Sequence, residues 1–336
     1  MRSIVLFAAL SLASAVQAQQ LEKRDVHIAV GGQNSFYYLP ITIAERQGYF
    51  KDEGLNVKIS DFAGGSVALR AVVGGSADVV SGAYEHTISL QSKKQYFQAF
   101  VAQGRLPQIA LGVATAKAGK VKSFKDLKGL KIGVSAPGSS THNLVKQLLV
   151  KAGLDPNKDV SVIGVGLASQ AVAALRSGQI DAISNVDPVI TKLEQDNAIK
   201  VIADTRTLKG TQEVWGAPLP SGVLHAAIEF VQKNPNTVQA LANAMVRADK
   251  WIAKASATDV AKVVPESFLL GDRALYMFSF DKVKEAFSPD GLISDAGAKA
   301  TLKSLAAFDP NIKPAEIDLA RTYTNEFAKK ANMKYK

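Results

Sequence analysis

The 336-residue sequence contains no cysteine, and it has only two tryptophans and four histidines. The absence of cysteine excludes disulfide bonds, a catalytic thiolate and a lipid anchor on a cysteine. The histidines at positions 27, 86, 142 and 225 lack the spacing of a zinc motif. We therefore expect neither a bound metal ion nor a cofactor, and the fold must rest on non-covalent contacts.

Long apolar runs are also scarce. The first 18 residues contain Arg2, an apolar run over 4–16 and the sequence AVQA ending at Ala18, which has small residues where a signal peptidase requires them. The run is too short to span a bilayer, and no later stretch reaches the roughly 18 uninterrupted apolar residues of a membrane helix. The sequence predicts a signal peptide, 1–18, and a protein free in the periplasm.

The charge balance is basic, with 40 Lys and Arg against 30 Asp and Glu. The formal charge of +10 becomes +9 when Arg2 is removed with the signal. The densest basic run, 117–131, alternates with Gly, Ser and Asp and lacks the aromatic interleaving that stacks on bases. We interpret it as a solvated face and expect no nucleic-acid partner.

Two stretches of the sequence recur about 103 residues apart. IAVGGQNS at 28–35 returns as IGVSAPGS at 132–139, and GSADVVS at 75–81 returns as GQIDAIS at 178–184. Self-similarity of this kind indicates two lobes built on the same plan. A ligand held between such lobes would contact the same turns of each.

Strand and helix patterns alternate within each repeat, which is typical of a doubly wound α/β unit. The predicted strands are 27–30, 55–59, 77–81, 131–134, 160–165 and 180–184. The predicted helices are 40–47, 64–73, 141–152 and 169–177, with Ser66 as a plausible cap of the second. After residue 204 the pattern changes to long helices over 236–255, 295–308 and 314–330.

The chain is expected to cross between the lobes twice, near 104–111 and near 211–218, and two crossings make a hinge. The resulting division is 19–107 for the first lobe, 108–215 for the second, and 216–336 for the return segment with the C-terminal helices. Thr301, in the predicted helix 295–308, is expected to lie away from the cleft.

The segment 40–57, PITIAERQGYFKDEGLNV, resembles the opening of solute-binding proteins that serve ABC transporters of nitrate, sulfonate, taurine and thiamine precursors. The sequences DLKGLKIGV at 126–134 and PGSST at 137–141 are similar to the start of that family's second lobe. The resemblance implies a type II periplasmic binding protein with two doubly wound α/β lobes joined by a two-crossing hinge. It also implies a small-molecule ligand and an inner-membrane ABC permease as partners, and we expect a monomer.

Ligands of open α/β sheets bind outside the carboxyl ends of the strands. The candidate ligand-binding residues there are Asn34, Ser35, Tyr37, Tyr38, Gly65, Ser66, Tyr84, Glu85, Gly138, Ser139, Ser140, Thr141, Asn185 and Asp187, with Trp215 near the return crossing. The turn 138–141 is the sharpest candidate, because a small-residue turn that enters a helix presents N–H groups and hydroxyls to an anion. Alternatively, a serine of this turn only caps the helix. Gly65 and Ser66 form the same device in the first lobe.

The tyrosines are candidate walls for the carbon body of a ligand, or else ordinary core and rim residues. Glu85 and Asp187 occupy neighbouring positions in the two repeats, where either could pair with a ligand ammonium or simply favour a helix start. Trp215 lines the cleft edge or packs in the hinge.

The predicted function is a receptor for a small organic anion of the alkanesulfonate or taurine type. The alternatives are the same role for an aromatic carboxylate or a pyrimidine thiamine precursor, or an exported enzyme on the same fold. Because GGSVA at 64–68 lacks the last glycine of a nucleophile elbow, and the other enzyme motifs are equally incomplete, we expect no catalysis.

The exported protein is predicted to begin at Gln19 and to carry no lipid. Mass spectrometry of the intact periplasmic protein measures this directly. A chain that still begins at Met1, or one that stays with washed membranes, would contradict the prediction.

Overall fold

Ten β-strands form two five-stranded sheets in the part of the chain that the computed structural model describes, residues 20–336. The predicted signal peptide lies outside this range. The strands are β1 (Asp25–Val30), β2 (Asn56–Asp61), β3 (Val79–Ala83), β4 (Phe97–Ala102), β5 (Ile109–Ala114), β6 (Lys131–Val134), β7 (Ser161–Gly164), β8 (Ala182–Val186), β9 (Ile199–Asp204) and β10 (Gly222–Ala227).

Helices cover both faces of each sheet. They are α1 (Leu39–Arg46), α2 (Tyr49–Asp52), α3 (Gly65–Val73), α4 (Glu85–Gln91), α5 (Thr115–Ala118), α6 (Ser140–Lys151), α7 (Ser169–Arg176), α8 (Val189–Gln195), α9 (Leu208–Trp215), α10 (Ile228–Lys233), α11 (Pro235–Lys254), α12 (Ala257–Val263), α13 (Arg273–Val283), α14 (Asp295–Phe308) and α15 (Glu326–Lys334). Among residues 20–336, no helix combines the length and the apolar character needed to cross a membrane.

Both sheets have the same topology, which confirms the two doubly wound α/β lobes expected from the repeat. The strand orders are β2-β1-β3-β10-β4 and β7-β6-β8-β5-β9. Strands β1 and β6 pair in parallel with both neighbours, whereas β10 and β5 pair antiparallel with theirs. Each antiparallel strand is the first one after a crossing, so the crossings tie the two sheets together.

The chain leaves the first sheet after Ala102 and enters the second at Ile109. It returns between Asp204 and Gly222, and α9 lies within that return. The described strands thus place the connections close to the two predicted crossings. The residue boundaries assigned to the lobes stay predictions.

Most of the predicted elements lie within a few residues of the observed ones, and α14 has the predicted bounds. The predicted helix 314–330 is wrong. Residues 314–316 and 319–321 form short 3-10 turns, and α15 begins only at Glu326. The reason is that Thr322 O accepts from Ala99 N and Thr324 N donates to Ala99 O, so this stretch is extended along the edge of β4.

Helix α6 shows how local sequence positions the second lobe's part of the cleft. Leu144, Val145, Leu148 and Leu149 are buried and form one apolar stripe against the sheet. Gly153, with φ of +73°, follows the C-terminal end of the helix in the left-handed conformation that glycine adopts without strain. The start of α6 therefore points from the end of β6 toward the first lobe.

A buried ion cluster supports the second lobe next to the cleft. Arg206, whose side chain is 3% exposed, bonds Asp187 at 3.2 Å, Glu194 at 2.9 Å and Asp204 at 2.6 Å. Burial lowers the pKa of Arg206, but its hydrogen bonds and attraction to these carboxylates outweigh that effect and raise the pKa overall. The guanidinium stays charged and compensates the fully buried Asp187.

Replacing Arg206 with methionine is expected to reduce the free energy of unfolding by about 3–5 kcal/mol, because it leaves Asp187 buried without a counter-charge. Urea denaturation followed by circular dichroism measures the loss. The matched control is Arg176→Met, which breaks an ion pair with Asp196 in which the arginine side chain is 54% exposed. That change is expected to cost less than about 1 kcal/mol. Equal losses in the two variants would refute the assigned role of Arg206.

Candidate functional site

The two lobes touch at the helix starts that follow β2 and β6. Ser66 N in α3 donates to Ser139 Oγ at 3.0 Å, and Ser66 Oγ donates to Pro137 O at 2.9 Å. Nearby, Phe36 N donates to Asp187 O at 3.1 Å. The cleft is therefore closed in this structure, with the two halves of the predicted site facing each other.

Contacts on both flanks accompany this central closure. On one flank, Lys282 in α13 forms an ion pair with Glu194 in α8 at 2.8 Å. On the other, Ser304 in α14 donates to Gln147 in α6 at 3.1 Å. Because α13 and α14 belong to the return segment, the C-terminal part of the chain takes part in closing the cleft.

Glycines allow the backbones of the lobes to approach this closely. A β-carbon added at Gly64 would lie 2.8 Å from Cβ of Ala136 in the opposite lobe. The φ of Gly64 is 169°, an extended conformation open to any residue, so its constraint is the approach of the lobes. Gly138, with φ of +85°, makes the turn that enters α6 and needs glycine for its conformation.

Two adjoining cavities remain between the closed lobes. The first, here called the hydroxyl cavity, has about 280 Å³ including its open side and is lined by Tyr37, Tyr38, Gly65, Ile109, Ser135, Ser139, Ser140, Thr141, Leu167 and Val186. The second, here called the aromatic cavity, has about 410 Å³ including its open mouth and is lined by Tyr37, Glu85, Pro107, Ile109, Ser140, Asn143, Trp215, Leu219, Pro220, Ser221, Thr301, Ser304, Leu305 and Phe308. Both include Tyr37, Ile109 and Ser140, so one ligand can extend from one cavity into the other.

Tyr37 stands at the junction of the cavities. Burial, the carboxylate of Glu85 and the phenol of Tyr38 raise the pKa of Tyr37 well above its ordinary value. The phenol therefore stays protonated and can donate a hydrogen bond. The hydroxyls of Ser140 and Ser221 lie beside it, so donors from both lobes converge at the junction.

Two buried donors in the aromatic cavity have no hydrogen-bond partner among the described residues. They are Nε1 of Trp215 and Oγ of Ser221, and Ser221 is only 2% exposed. A buried polar group left unpaired costs about 1–3 kcal/mol. The indole N–H of Trp215 is therefore free to donate to a ligand acceptor, and the hydroxyl of Ser221, beside the phenol of Tyr37, can donate to the same ligand.

The hydroxyls around the start of α6 have different tasks. Thr141 Oγ1 accepts from Ser135 N at 3.0 Å and lies 2.9 Å from Ser135 Oγ, so it holds the turn in shape. Ser139 Oγ is engaged with Ser66 across the cleft. Ser140 lines both cavities, which leaves its hydroxyl the best placed of the three to reach a ligand.

Two histidines near the cleft carry no positive charge at neutral pH. Burial lowers the pKa of His142 to about 4, assisted by Lys146, and its Nδ1 accepts from Gly138 N at 3.0 Å. Burial also lowers the pKa of His86, although the carboxylate of Glu85 opposes the shift. Among residues 20–336, those lining the two cavities include no lysine, arginine or histidine.

The structure brings eight of the fifteen candidate residues to the cavities: Tyr37, Tyr38, Gly65, Glu85, Ser139, Ser140, Thr141 and Trp215. Ser66 and Gly138 lie at the contact between the lobes. Ser66 is not the cap of α3, because Gly64 occupies that position. Asn34 is half-buried, and Ser35 donates its hydroxyl to Gly32 O at 2.8 Å.

Three predicted cleft residues are placed elsewhere. Tyr84 is fully buried in the first lobe, and its hydroxyl is 2.7 Å from Thr322 Oγ1, so it packs in the core instead of forming a wall of either cavity. Asn185 is committed to Gly166 O and to the N–H of Val186. Asp187 is paired with Arg206 and accepts from Thr191 N, which leaves it unavailable to a ligand ammonium.

Several lining residues are absent from the predictions. Asn143 lies one turn into α6, Ser221 follows Pro220 at the end of the return crossing, and Thr301 lies in α14. The expectation that Thr301 lies away from the cleft is wrong, because α14 packs against α6 and closes one side of the aromatic cavity. The two prolines before Ser221 mark the crossing in the sequence, but nothing local in α14 indicates this position.

Residues 19–264 match the family model described as the NMT1-like family. The chain belongs to the NMT1-like family. A solved structure of a protein from Bordetella bronchiseptica RB50 is 58% identical, with a TM-score of 0.93 over 94% of this chain and 99% of that one. The predicted resemblance to nitrate and sulfonate solute-binding proteins is confirmed, because the similar proteins include the nitrate/nitrite binding protein NrtA of Nostoc sp., 28% identical over 40% of this chain and 29% of that protein, and sulfonate-binding proteins of the same fold.

More distant structures confirm the predicted type II periplasmic binding protein fold. The periplasmic nitrate-binding protein NrtA from Synechocystis PCC 6803 is 14% identical, with a TM-score of 0.75 over 94% of this chain and 90% of that one. The alkanesulfonate-binding protein SsuA from Xanthomonas axonopodis pv. citri, bound to MOPS, is 18% identical, with a TM-score of 0.70 over 91% of this chain and all of that one. At these identities the similarity concerns the fold alone.

The described residues contain no group of three or more Asp, Glu, His or Cys side chains placed to hold a metal ion.

Replacing Gly64 with alanine is expected to weaken ligand binding roughly fivefold to 150-fold, because the new methyl group meets Ala136 only when the lobes close and such overpacking costs about 1–3 kcal/mol. Calorimetric titration with the anion that most stabilises the parent protein measures the effect. The control is Gly119→Ala, since a β-carbon there meets nothing within 4 Å. Unchanged affinity in Gly64→Ala would show that the ligand-bound form does not use this contact.

Proposed function

We propose that this protein is the solute-binding receptor of an ABC importer and that it captures a small organic anion of the alkanesulfonate or taurine type between its closing lobes. The observation that carries the proposal is the pair of unpartnered buried donors, Trp215 Nε1 and Ser221 Oγ, beside the hydroxyls of Tyr37 and Ser140. Three hydroxyls at the junction, with the indole N–H in the same cavity, suit a ligand group with several acceptor oxygens, such as a sulfonate or carboxylate.

The start of α6 supports the negative charge of that group. It is a helix of 12 residues, and the positive end of its dipole stabilises an anion by about 0.3–1 kcal/mol, or up to ~2 kcal/mol where water is excluded. The closed lobes exclude water here. Neutral donors and a helix dipole can therefore hold the anion without a cationic side chain.

The walls of the aromatic cavity favour an anion with a carbon body. Leu219, Leu305 and Phe308 present apolar surface opposite the polar junction. Burial of ligand carbon against such a surface stabilises the complex by about 25 cal/mol for each Å². An inorganic anion such as nitrate has no carbon to bury. This feature supports an organic ligand over nitrate, while an aromatic carboxylate remains a second candidate.

The receptor role includes transport partners and a location. Two solved structures with this fold are named as periplasmic binding proteins, and the predicted signal peptide is consistent with export. We propose that the closed protein delivers its ligand to an inner-membrane permease and acts as a monomer. It would do no chemistry on the ligand, in contrast to enzyme relatives of the same fold.

A thermal-shift series with ethanesulfonate, propane-1-sulfonate, taurine, benzoate and nitrate tests the proposal. A ligand at a hundred times its Kd stabilises the folded protein by about 2.7 kcal/mol. We expect an organic anion to raise Tm more than nitrate does, and to be recovered unchanged from the mixture. No stabilisation by any organic anion, or conversion of the anion to a product, would refute the receptor assignment.

Ser140→Ala is expected to weaken binding of the best organic anion roughly tenfold to a hundredfold, because a hydrogen bond to a charged group contributes about 1.5–3 kcal/mol. Calorimetric titration measures the change. Ser169→Ala is the matched control, since Ser169 is also the first residue of a second-lobe helix but is exposed to solvent. Equal affinity of the two variants would place the anion away from the start of α6.

A further inference from the structure

Glu85 has an unusual position in the closed cleft. It is the one Asp, Glu, Lys, Arg or His among the described residues that line the two cavities, and it is only 9% exposed. Asn143 Nδ2 in the opposite lobe donates a hydrogen bond to Glu85 Oε1 at a long 3.4 Å. Closing the lobes thus removes a carboxylate from water and gives it one weak neutral donor.

The protein itself supplies no counter-charge. Among residues 20–336, no lysine, arginine or histidine forms an ion pair with Glu85. Lys146 of α6, the helix that carries Asn143, lies over the ring of Phe308, with Nζ 5.5 Å from the centroid. A buried carboxylate without a partner is costly, so the cleft is incomplete as it stands.

The start of α4 explains only part of this arrangement. Glu85 is the first residue of that helix, where the dipole favours a negative charge. A carboxylate exposed to solvent would serve this purpose equally well, as Glu229 does in the first turn of α10. The helix start therefore accounts for the charge but not for its burial against the opposite lobe.

An organic anion without a positive group would increase the electrostatic cost of burying Glu85. Its charged group at the start of α6 would share the closed, water-poor cleft with Glu85, and two like charges in such a site disfavour each other. An anion that also carries a positive group resolves both difficulties, because that group can pair with Glu85 while the oxygens stay at the hydroxyl donors.

We infer that the ligand is a zwitterion, an amino-sulfonate or amino-carboxylate, and that Glu85 is the specificity-determining residue that binds its ammonium group. The inference rests on the proposed receptor function. The anionic group contacts Ser140, the ammonium contacts Glu85, and the carbon chain between them lies along the apolar wall of the aromatic cavity. Asp187, which occupies a neighbouring position in the second lobe, cannot take this role because Arg206 already neutralises it.

Matched ligands that differ only by methyl in place of ammonium test the inference on the unaltered protein. The pairs are taurine and propane-1-sulfonate, 3-aminopropanesulfonate and butane-1-sulfonate, and β-alanine and butyrate. We expect at least one amine to bind roughly tenfold to a hundredfold more tightly than its methyl counterpart in calorimetric titration.

Glu85→Gln should abolish that preference, because it weakens binding of the amine and leaves binding of the methyl compound unchanged. Glu85→Asp, which keeps the carboxylate, should retain part of the preference. Glu229→Gln is the control for losing a helix-start carboxylate and should leave both affinities unchanged. Thermal unfolding of each variant without ligand shows whether it has folded. If a variant fails to fold, the comparison of amines with methyl compounds on the unaltered protein still tests the inference.

The possible results separate this inference from the receptor function. If every methyl compound binds as tightly as its amine, or if Glu85→Gln keeps the preference, the inference is overturned and the organic-anion receptor stands. If none of the six compounds binds while benzoate or another organic anion does, the inference is again overturned alone. If no organic anion binds at all, both are overturned.

Discussion

The contact between the starts of α3 and α6 is the constraint on which the rest of the site depends. A serine of one lobe bonds a serine of the other, and a glycine is needed at position 64 because the opposing backbone comes so close. This contact sets the distance between the lobes. It thereby fixes how much water is excluded, how large the cavities are and which side chains meet across the cleft.

The same contact explains why the cleft can use neutral groups to hold a charge. In water a few hydroxyls and an indole N–H would compete poorly with solvent for an anion. When the lobes close, the local dielectric falls and each oriented donor gains strength. The donors come from both lobes and from the return crossing, so no open form of the protein presents all of them together.

The sequence predicts the features of the cleft that are local in the chain. The repeat locates both helix starts, and seven of the eight candidate residues that reach the cavities lie in the turns and helix starts that follow strands. What the sequence misses depends on distant partners. Tyr84 lies in the core, where its hydroxyl is hydrogen-bonded to Thr322 Oγ1. Helix α14 forms a wall of the aromatic cavity because it packs on α6, more than a hundred residues earlier in the chain. No local pattern encodes such pairings.

The turns after β3 and β8, which correspond in the two lobes, have different structural roles. After β3 and after β8 the repeat places a carboxylate at the edge of the sheet, as Glu85 and as Asp187. In the second lobe Arg206 converts that carboxylate into part of a rigid ion cluster. In the first lobe the carboxylate forms no ion pair with a described residue and lines the aromatic cavity. Because Arg206 neutralises only the second of these carboxylates, Glu85 remains available to the ammonium group of the zwitterionic ligand that we infer.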